Sequence, residues 1–216
     1  MIIVLLGPPG AGKGTQGELL AARLGIPKVA TGDLFRAALR EGTPLGLKAK
    51  QYMERGELVP DSVILGILRD TIASSDNDGG AILDGAVRTV PQAEGLAQTL
   101  QAIGRKVDAV LLFEANHDEL IRRLSSRATC EVCQTPYGDL QPGDACPKGD
   151  GGKLIRRKDD EPAAIRTRLS VYDELTAPVI RWYDEHDVPV YRIDAIGPVD
   201  QVTVRAADAL AQAQRR

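Results

Sequence analysis

The stretch IIVLLGPPGAGKGT, Ile2 to Thr15, decides how this chain is to be read. Five apolar strand formers run straight into a glycine-rich turn, and a helical pattern follows. Glycines let the backbone curl so that successive amides point at phosphate oxygens, and the positive end of the next helix adds to the attraction. Lys13 supplies a mobile charge for the outer phosphates. The general form of such a loop has Ser or Thr directly after the lysine; here Gly14 follows, and the hydroxyl arrives at Thr15. The plain alternative is a tight strand-helix joint, which gives a lysine at this position no task.

Working outward, short apolar runs recur: PKVAT near residue 29, AILDG at 81–85, AVLLF at 109–113 and VPVYRI at 188–193. Helical patterns lie between them, at about 13–24, 61–74, 90–103, 116–125, 161–186 and 198–213. Alternation of this kind predicts an α/β fold with a parallel sheet, and nearly all-apolar strands predict helices on both of its faces. Asp61 and Asn116 stand where helix caps belong, since their oxygens can accept first-turn amides. With 216 residues, 43% of them apolar, one domain with small appendages is expected. The 27 basic and 30 acidic residues leave a net charge of −3, which argues against a nucleic-acid partner. No run approaches the length of a membrane span, and the opening run turns too early for a signal peptide.

Two stretches break the rhythm. Residues 31–59 place two short helices and the turn GELVPD between strands, as an insertion bordering the cleft. From Arg127 to Asp160 the chain carries all three of its cysteines with many glycines and prolines and little apolar periodicity, as an inserted lobe would. Cys130 and Cys133 form a CxxC pair, Cys146 follows after twelve intervening residues, and Asp150 after three more. Three thiolates and a carboxylate suit a tetrahedral structural Zn²⁺, which would supply folding energy that so small a lobe cannot draw from a core. Asp144 is a second candidate for the fourth ligand. Three cysteines cannot all pair, so a reducing cytoplasm is expected.

GPPGAGKGT resembles the adenylate kinase form of the phosphate loop, in which the displaced hydroxyl is normal. ATGDLFR at 30–36, GELVPD at 56–61, LDGAVRTVPQAE at 83–94, the cysteine lobe and RRKDDEPAAIRTRLSVY at 156–172 repeat the likeness. The resemblance implies a five-stranded parallel core spanning 1–216 with an AMP-binding lobe at 30–59, a lid at about 126–160, and reversible transfer of the terminal phosphoryl of ATP to AMP, giving two ADP. It implies that Gly10, Ala11, Gly12, Lys13, Gly14 and Thr15 hold the ATP phosphates, with Arg123, Arg127, Pro136, Tyr137 and Gly197 completing the ATP side. Thr31, Arg36, Glu57, Leu58, Val59, Gly85, Ala86, Val87, Arg88 and Gln92 would line the AMP side, Gln92 reading the adenine edge. Arg157 and Arg168 would close over the transferring group, so that Lys13, Arg88, Arg127, Arg157 and Arg168 are the candidate catalytic residues. The lid resembles zinc-bearing lids with three cysteines and an aspartate, although here one residue is inserted before the aspartate. A monomer is expected.

Phosphoryl transfer spreads negative charge over a loose transition state, so catalysis rests on positioning and electrostatics, and guanidinium forks suit it. No general base is required, because the acceptor is an ionised phosphate oxygen. His117 and His186 fall beside helix ends and suit surface or capping roles. Asp84 and Asp33 could hold Mg²⁺ through waters, or Asp84 could cap the turn after it. The resemblance also exposes a departure: Ala86-Val87 replace the Phe-Pro expected there, so a thinner wall and weaker AMP binding or slower turnover are expected, with retained adenylate preference and partial recovery in an Ala86→Phe, Val87→Pro double variant; the alternative is compensation by neighbouring packing. Two rival readings are a P-loop NTPase switch with a metal-binding lobe and a thiol redox protein built on CxxC. The first gives Thr31, Arg36, Arg88 and Gln92 no task, and the third cysteine weighs against the second.

Overall fold

The computed structural model describes residues 1–73 and 79–213. A five-stranded parallel sheet forms the centre, in the order β2 (Lys28–Ala30), β3 (Ala81–Asp84), β1 (Ile2–Leu6), β4 (Ala109–Glu114), β8 (Val190–Asp194). Every strand run expected from the sequence is present. Strand β1 is buried throughout, and its alternation divides the core: Ile2, Val4 and Leu6 join one apolar cluster, Ile3 and Leu5 the other.

The first cluster is closed by α4 (Asp61–Ile72), α5 (Val90–Gln101) and α8 (Ala177–Glu185), through Leu68, Leu96, Leu100 and Tyr183. Helices α1 (Lys13–Leu24), α6 (His117–Ser126) and α9 (Val199–Ala213) close the second, through Leu20, Leu120, Leu124, Val202 and Leu210. The sequence pattern carried α4 to residue 74, which lies outside the described residues. Because β1 has β3 on one side and β4 on the other, the chain reverses its winding direction at β1, and a crevice opens beyond the strands' carboxyl ends.

Residues 31–59 fold as α2 (Thr31–Arg40) and α3 (Pro44–Met53). The cysteine stretch forms a small antiparallel sheet, in the order β6 (Pro136–Tyr137), β5 (Ala128–Cys130), β7 (Leu154–Ile155). The long helix expected over 161–186 is divided instead. Helix α7 (Pro162–Val171) passes through a π-helical turn, Tyr172–Thr176, before α8 begins. Pro178 explains the break, since its ring cannot donate to the helix ladder and clashes with the carbonyl a turn earlier, and the wider turn makes room for it.

One expected cap holds and one does not. Asn116 caps α6, its side chain accepting from the N–H of Glu119 at 2.9 Å. Asp61 lies inside the first turn of α4, with Pro60 in the cap position, and its carboxylate turns away to Thr89 and Gln92.

Candidate functional site

The phosphate-type loop owes its shape to close backbone approaches. Gly7 has a φ of 138°, and a Cβ there would lie 2.4 Å from the carbonyl oxygen of Phe113. Gly12, at φ 87°, leads into α1 as its cap. The loop curls around Lys13, whose Nζ donates to the carbonyls of Gly7 at 2.6 Å and Pro8 at 2.8 Å.

This loop floors a cavity of about 620 Å³, within the range usual for small-molecule sites. Gly10, Ala11, Gly12, Lys13, Gly14 and Thr15 line it, and so do Arg123, Arg127, Pro136, Tyr137 and Gly197. Thr31, Asp33, Arg36, Glu57, Leu58, Val59, Asp84, Gly85, Arg88, Gln92, Arg157 and Arg168 complete the wall. Residues far apart in sequence thus face one another. Ala86 and Val87 do not line this cavity; they are 0% and 1% exposed and belong to the core beneath it.

The crowd of cations has a measurable cost. Burial pulls Lys13 down from 10.5 to about 8; Asp84 opposes the shift, while Arg88, Arg168 and Arg127 add to it. Arg157 falls to about 9, first through burial and then through Arg36 and Arg127. Arg88 and Arg168 are lowered for the same leading reason. Among the described residues, the Nε–H groups of Arg36 and Arg157 are buried without a hydrogen-bond partner. Buried donors and excess positive charge together form an anion receptor, because a polyanion would satisfy both.

Acidic residues that the sequence reading did not single out set the arginine geometry. Asp160 is 0% exposed and takes Arg127 through both oxygens, the Nε bond being 2.8 Å, while Arg168 reaches the same carboxylate at 3.0 Å. Asp159 pairs with Arg168 at 3.0 Å. Arg123 donates to Glu119 at 2.7 Å and to the Ala195 carbonyl at 2.9 Å. The clue was the acidic pair that follows the arginines of RRKDD, which only the fold brings against Arg127 and Arg168. On the other wall, Thr31 Oγ1 and Arg88 Nε both donate to the Gly85 carbonyl, at 2.8 and 3.1 Å. Asp33 is engaged by Arg36 and lies 3.8 Å from Lys28, whereas Asp84 faces the cavity beside Lys13 and Gly14.

The apolar cluster that holds Ala86 also holds an aromatic ring. Phe35 on α2 is 3% exposed, lines the cavity and belongs to the same apolar cluster as Ala86. An aromatic ring on α2 therefore lines the cleft. Replacing Ala86 by Phe adds a ring to a packed core, so Ala86→Phe should cost about 1–3 kcal/mol in urea melts without tightening AMP saturation.

In the cysteine lobe, the ligating atoms of Cys130, Cys133, Cys146 and Asp150 all lie within 4.8 Å of one another, a set that could hold a metal ion. Cys133 and Cys146 Sγ are 3.7 Å apart, and Cys130 Sγ lies 3.3 Å from Asp150 Oδ2. The inserted residue is absorbed by Gly149, at φ 68°, whose N–H closes a turn on the Cys146 carbonyl at 3.0 Å and returns Asp150 to the thiols. Asp144 instead accepts the Gln141 N–H at 2.8 Å. Gly152 donates to Asp150 at 2.9 Å, and a Cβ on it would lie 2.7 Å from Cys130 Sγ. His117 lies 3.7 Å from Asp173 and His186 stacks on Trp182; neither lines the cavity.

A family model described as adenylate kinase matches residues 5–188. The chain is 61% identical over 211 residues to an adenylate kinase of Gemmatimonas aurantiaca, covering 97% of this chain and 99% of that one. It is 48% identical over 217 residues to an adenylate kinase of Salinispora tropica, with 97% and 98% covered. Against one from Methanosarcina barkeri the identity is 43% over 208 residues, with 94% of each chain covered.

Proposed function

The chain belongs to the adenylate kinase family, and from that premise we propose how its cleft carries out the reversible transfer of a phosphoryl group from ATP to AMP. The observation that carries the reading is the meeting of the phosphate loop and seven arginines, Arg36, Arg88, Arg122, Arg123, Arg127, Arg157 and Arg168, around one cavity. Gly10 to Thr15 hold the ATP phosphates through backbone amides and Lys13, with Arg123, Pro136, Tyr137 and Gly197 toward the base. Thr31, Arg36, Glu57 to Val59, Gly85, Arg88 and Gln92 hold AMP in the lobe at 30–59. Arg127, Arg157 and Arg168 neutralise the moving group, and Asp159 and Asp160 keep Arg127 and Arg168 aimed at it. The backbone of Ala86 and Val87 contributes only by carrying Arg88.

Mg²⁺ bound with ATP would add Lewis-acid stabilisation of phosphate charge. Asp84 is the carboxylate best placed to orient its waters, since Asp33 is already committed to Arg36. The lobe at 126–160 acts as a lid braced by Zn²⁺. In its support, sulfurs about 2.3 Å from a tetrahedral centre lie about 3.7–3.8 Å apart, which the Cys133–Cys146 separation of 3.7 Å matches. Free thiols suit a reducing cytoplasm, and among the described residues no helix is long and apolar enough to cross a membrane. We take the working unit to be a monomer.

Mixing the protein with ATP, Mg²⁺ and AMP should yield two ADP, with little ATP hydrolysis when AMP is left out; hydrolysis at equal rate without AMP would favour the switch reading. The pH profile adds a sharper test. A triphosphate prefers the charged amine, so binding weakens once the free enzyme loses the Lys13 proton. kcat/KM for ATP should therefore fall as pH rises through about 8, and Lys13→Arg, which keeps its charge, should lack that limb.

A further inference from the structure

We propose that Asp61 is a positioning residue that makes the cleft select adenine, acting through Gln92 from behind the cavity wall. The proposal rests on the reading of Gln92 as the side chain that meets the AMP base. Gln92 lines the cavity yet is 1% exposed, and both ends of its amide are engaged. Its Nε2 donates to Asp61 Oδ1 at 2.6 Å, and its Oε1 accepts from the Arg88 backbone N–H at 2.7 Å. A carboxylate only accepts and a backbone N–H only donates. The two partners hold the amide in one orientation, because a flip would set NH₂ against N–H and carbonyl against carboxylate. Thr89 steadies the brace: its hydroxyl donates to the same Asp61 oxygen and accepts the Gln92 N–H that opens α5, both at 3.2 Å.

After these bonds, one N–H and one carbonyl lone pair remain on the amide. Adenine offers the matching edge, a six-amino donor beside a ring-nitrogen acceptor. A 6-oxopurine reverses the order, with a carbonyl acceptor beside a protonated nitrogen, and would need the flipped amide. Asp61 thereby discriminates against 6-oxopurine monophosphates without touching them. A site that leaves a substrate's or its own polar groups unpaired discriminates strongly.

The test compares the parent, Asp61→Ala, Asp61→Asn and Gln92→Ala with AMP and inosine monophosphate, measuring kcat and KM separately. Asp61→Ala should raise the KM for AMP and lower the AMP preference in kcat/KM by about fivefold or more, with kcat within about twofold of the parent. Asp61→Asn keeps a carbonyl oxygen that can accept from Nε2 and should restore most of the preference. A carboxylate needed only for its charge near the start of α4 would not be replaced by Asn. Failure of Asn to rescue therefore overturns the proposal, as does an unchanged preference in Asp61→Ala. If Asp61→Ala does not fold, Asp61→Ser, shorter and suited to helix starts, takes its place with the same expected outcomes. An unchanged KM for AMP in Gln92→Ala would refute the base-reading role itself. A raised KM there, with unaltered selectivity in the Asp61 variants, refutes only the brace.

Discussion

Lys13→Ala is expected to lower kcat/KM by about 10²–10³, with the fold intact by circular dichroism. That loss corresponds to about 3–4 kcal/mol of transition-state stabilisation. The size follows from where the ammonium sits, inside its own loop, 2.6 and 2.8 Å from the carbonyls of Gly7 and Pro8. A charge so placed needs little reorganisation to meet phosphate oxygens, and burial, which pulls its pKa toward 8, also strengthens its field on a bound ligand. Removing it leaves two loop carbonyls without their donor, so stability and activity must be read together. Lys13→Met, which keeps the stem, separates the two effects. Activity within tenfold of the parent in both folded variants would remove Lys13 from the mechanism.

Loss of the proposed Zn²⁺ from the cysteine lobe is expected to give the second largest change. The lobe's apolar cluster consists of Ala128, Cys130, Cys146 and Leu154, with Cys133, Tyr137 and Leu140 packed against it. So small a core cannot offset the entropy of ordering the stretch unless ligand bonds contribute. Burial pushes the Cys130 thiol up to about 11, a penalty on the thiolate that a cation would reverse. Cys130→Ser or exhaustive chelation should therefore abolish amide protection across 128–155 and lower the Tm by about 5 °C or more, at roughly 2–4 °C per kcal/mol for a chain of this size. Gly152→Ala should do the same by intrusion, its methyl meeting Cys130 Sγ. Elemental analysis should find one zinc per parent chain. A metal-free parent with full lobe protection would sink the idea.

The local features legible in the sequence were those set by short-range chemistry. Apolar runs bounded by turn residues marked all five parallel strands, and GPPGAGKGT specified its own turn because glycine alone tolerates the backbone angles there. The cysteine spacing marked a ligand set although one residue had been inserted, and a left-handed Gly149 absorbed it. Pattern reading joined α7 and α8 into one helix, since periodicity persists through a π turn and only the Pro178 clash reveals the break.

Other features depended on groups brought together from distant parts of the chain. Asp61 looked like a cap because its position before a helix is a local fact, but its partners Thr89 and Gln92 lie about 30 residues away. Asp160 drew no notice in the sequence, since only packing buries it against Arg127 and Arg168. Ala86 looked like a gap in the wall of a pocket, and only the tertiary structure shows that it lies in the core while Phe35 on α2 lines the cavity. The sequence alone determined the fold class, the phosphate loop and the candidate cysteine-aspartate cluster, because each is written in contiguous or regularly spaced residues. Tertiary structure decided how the arginines are aimed, which side chains wall the cleft and which carboxylate orients Gln92, because hydrogen bonding and burial depend on distance in space.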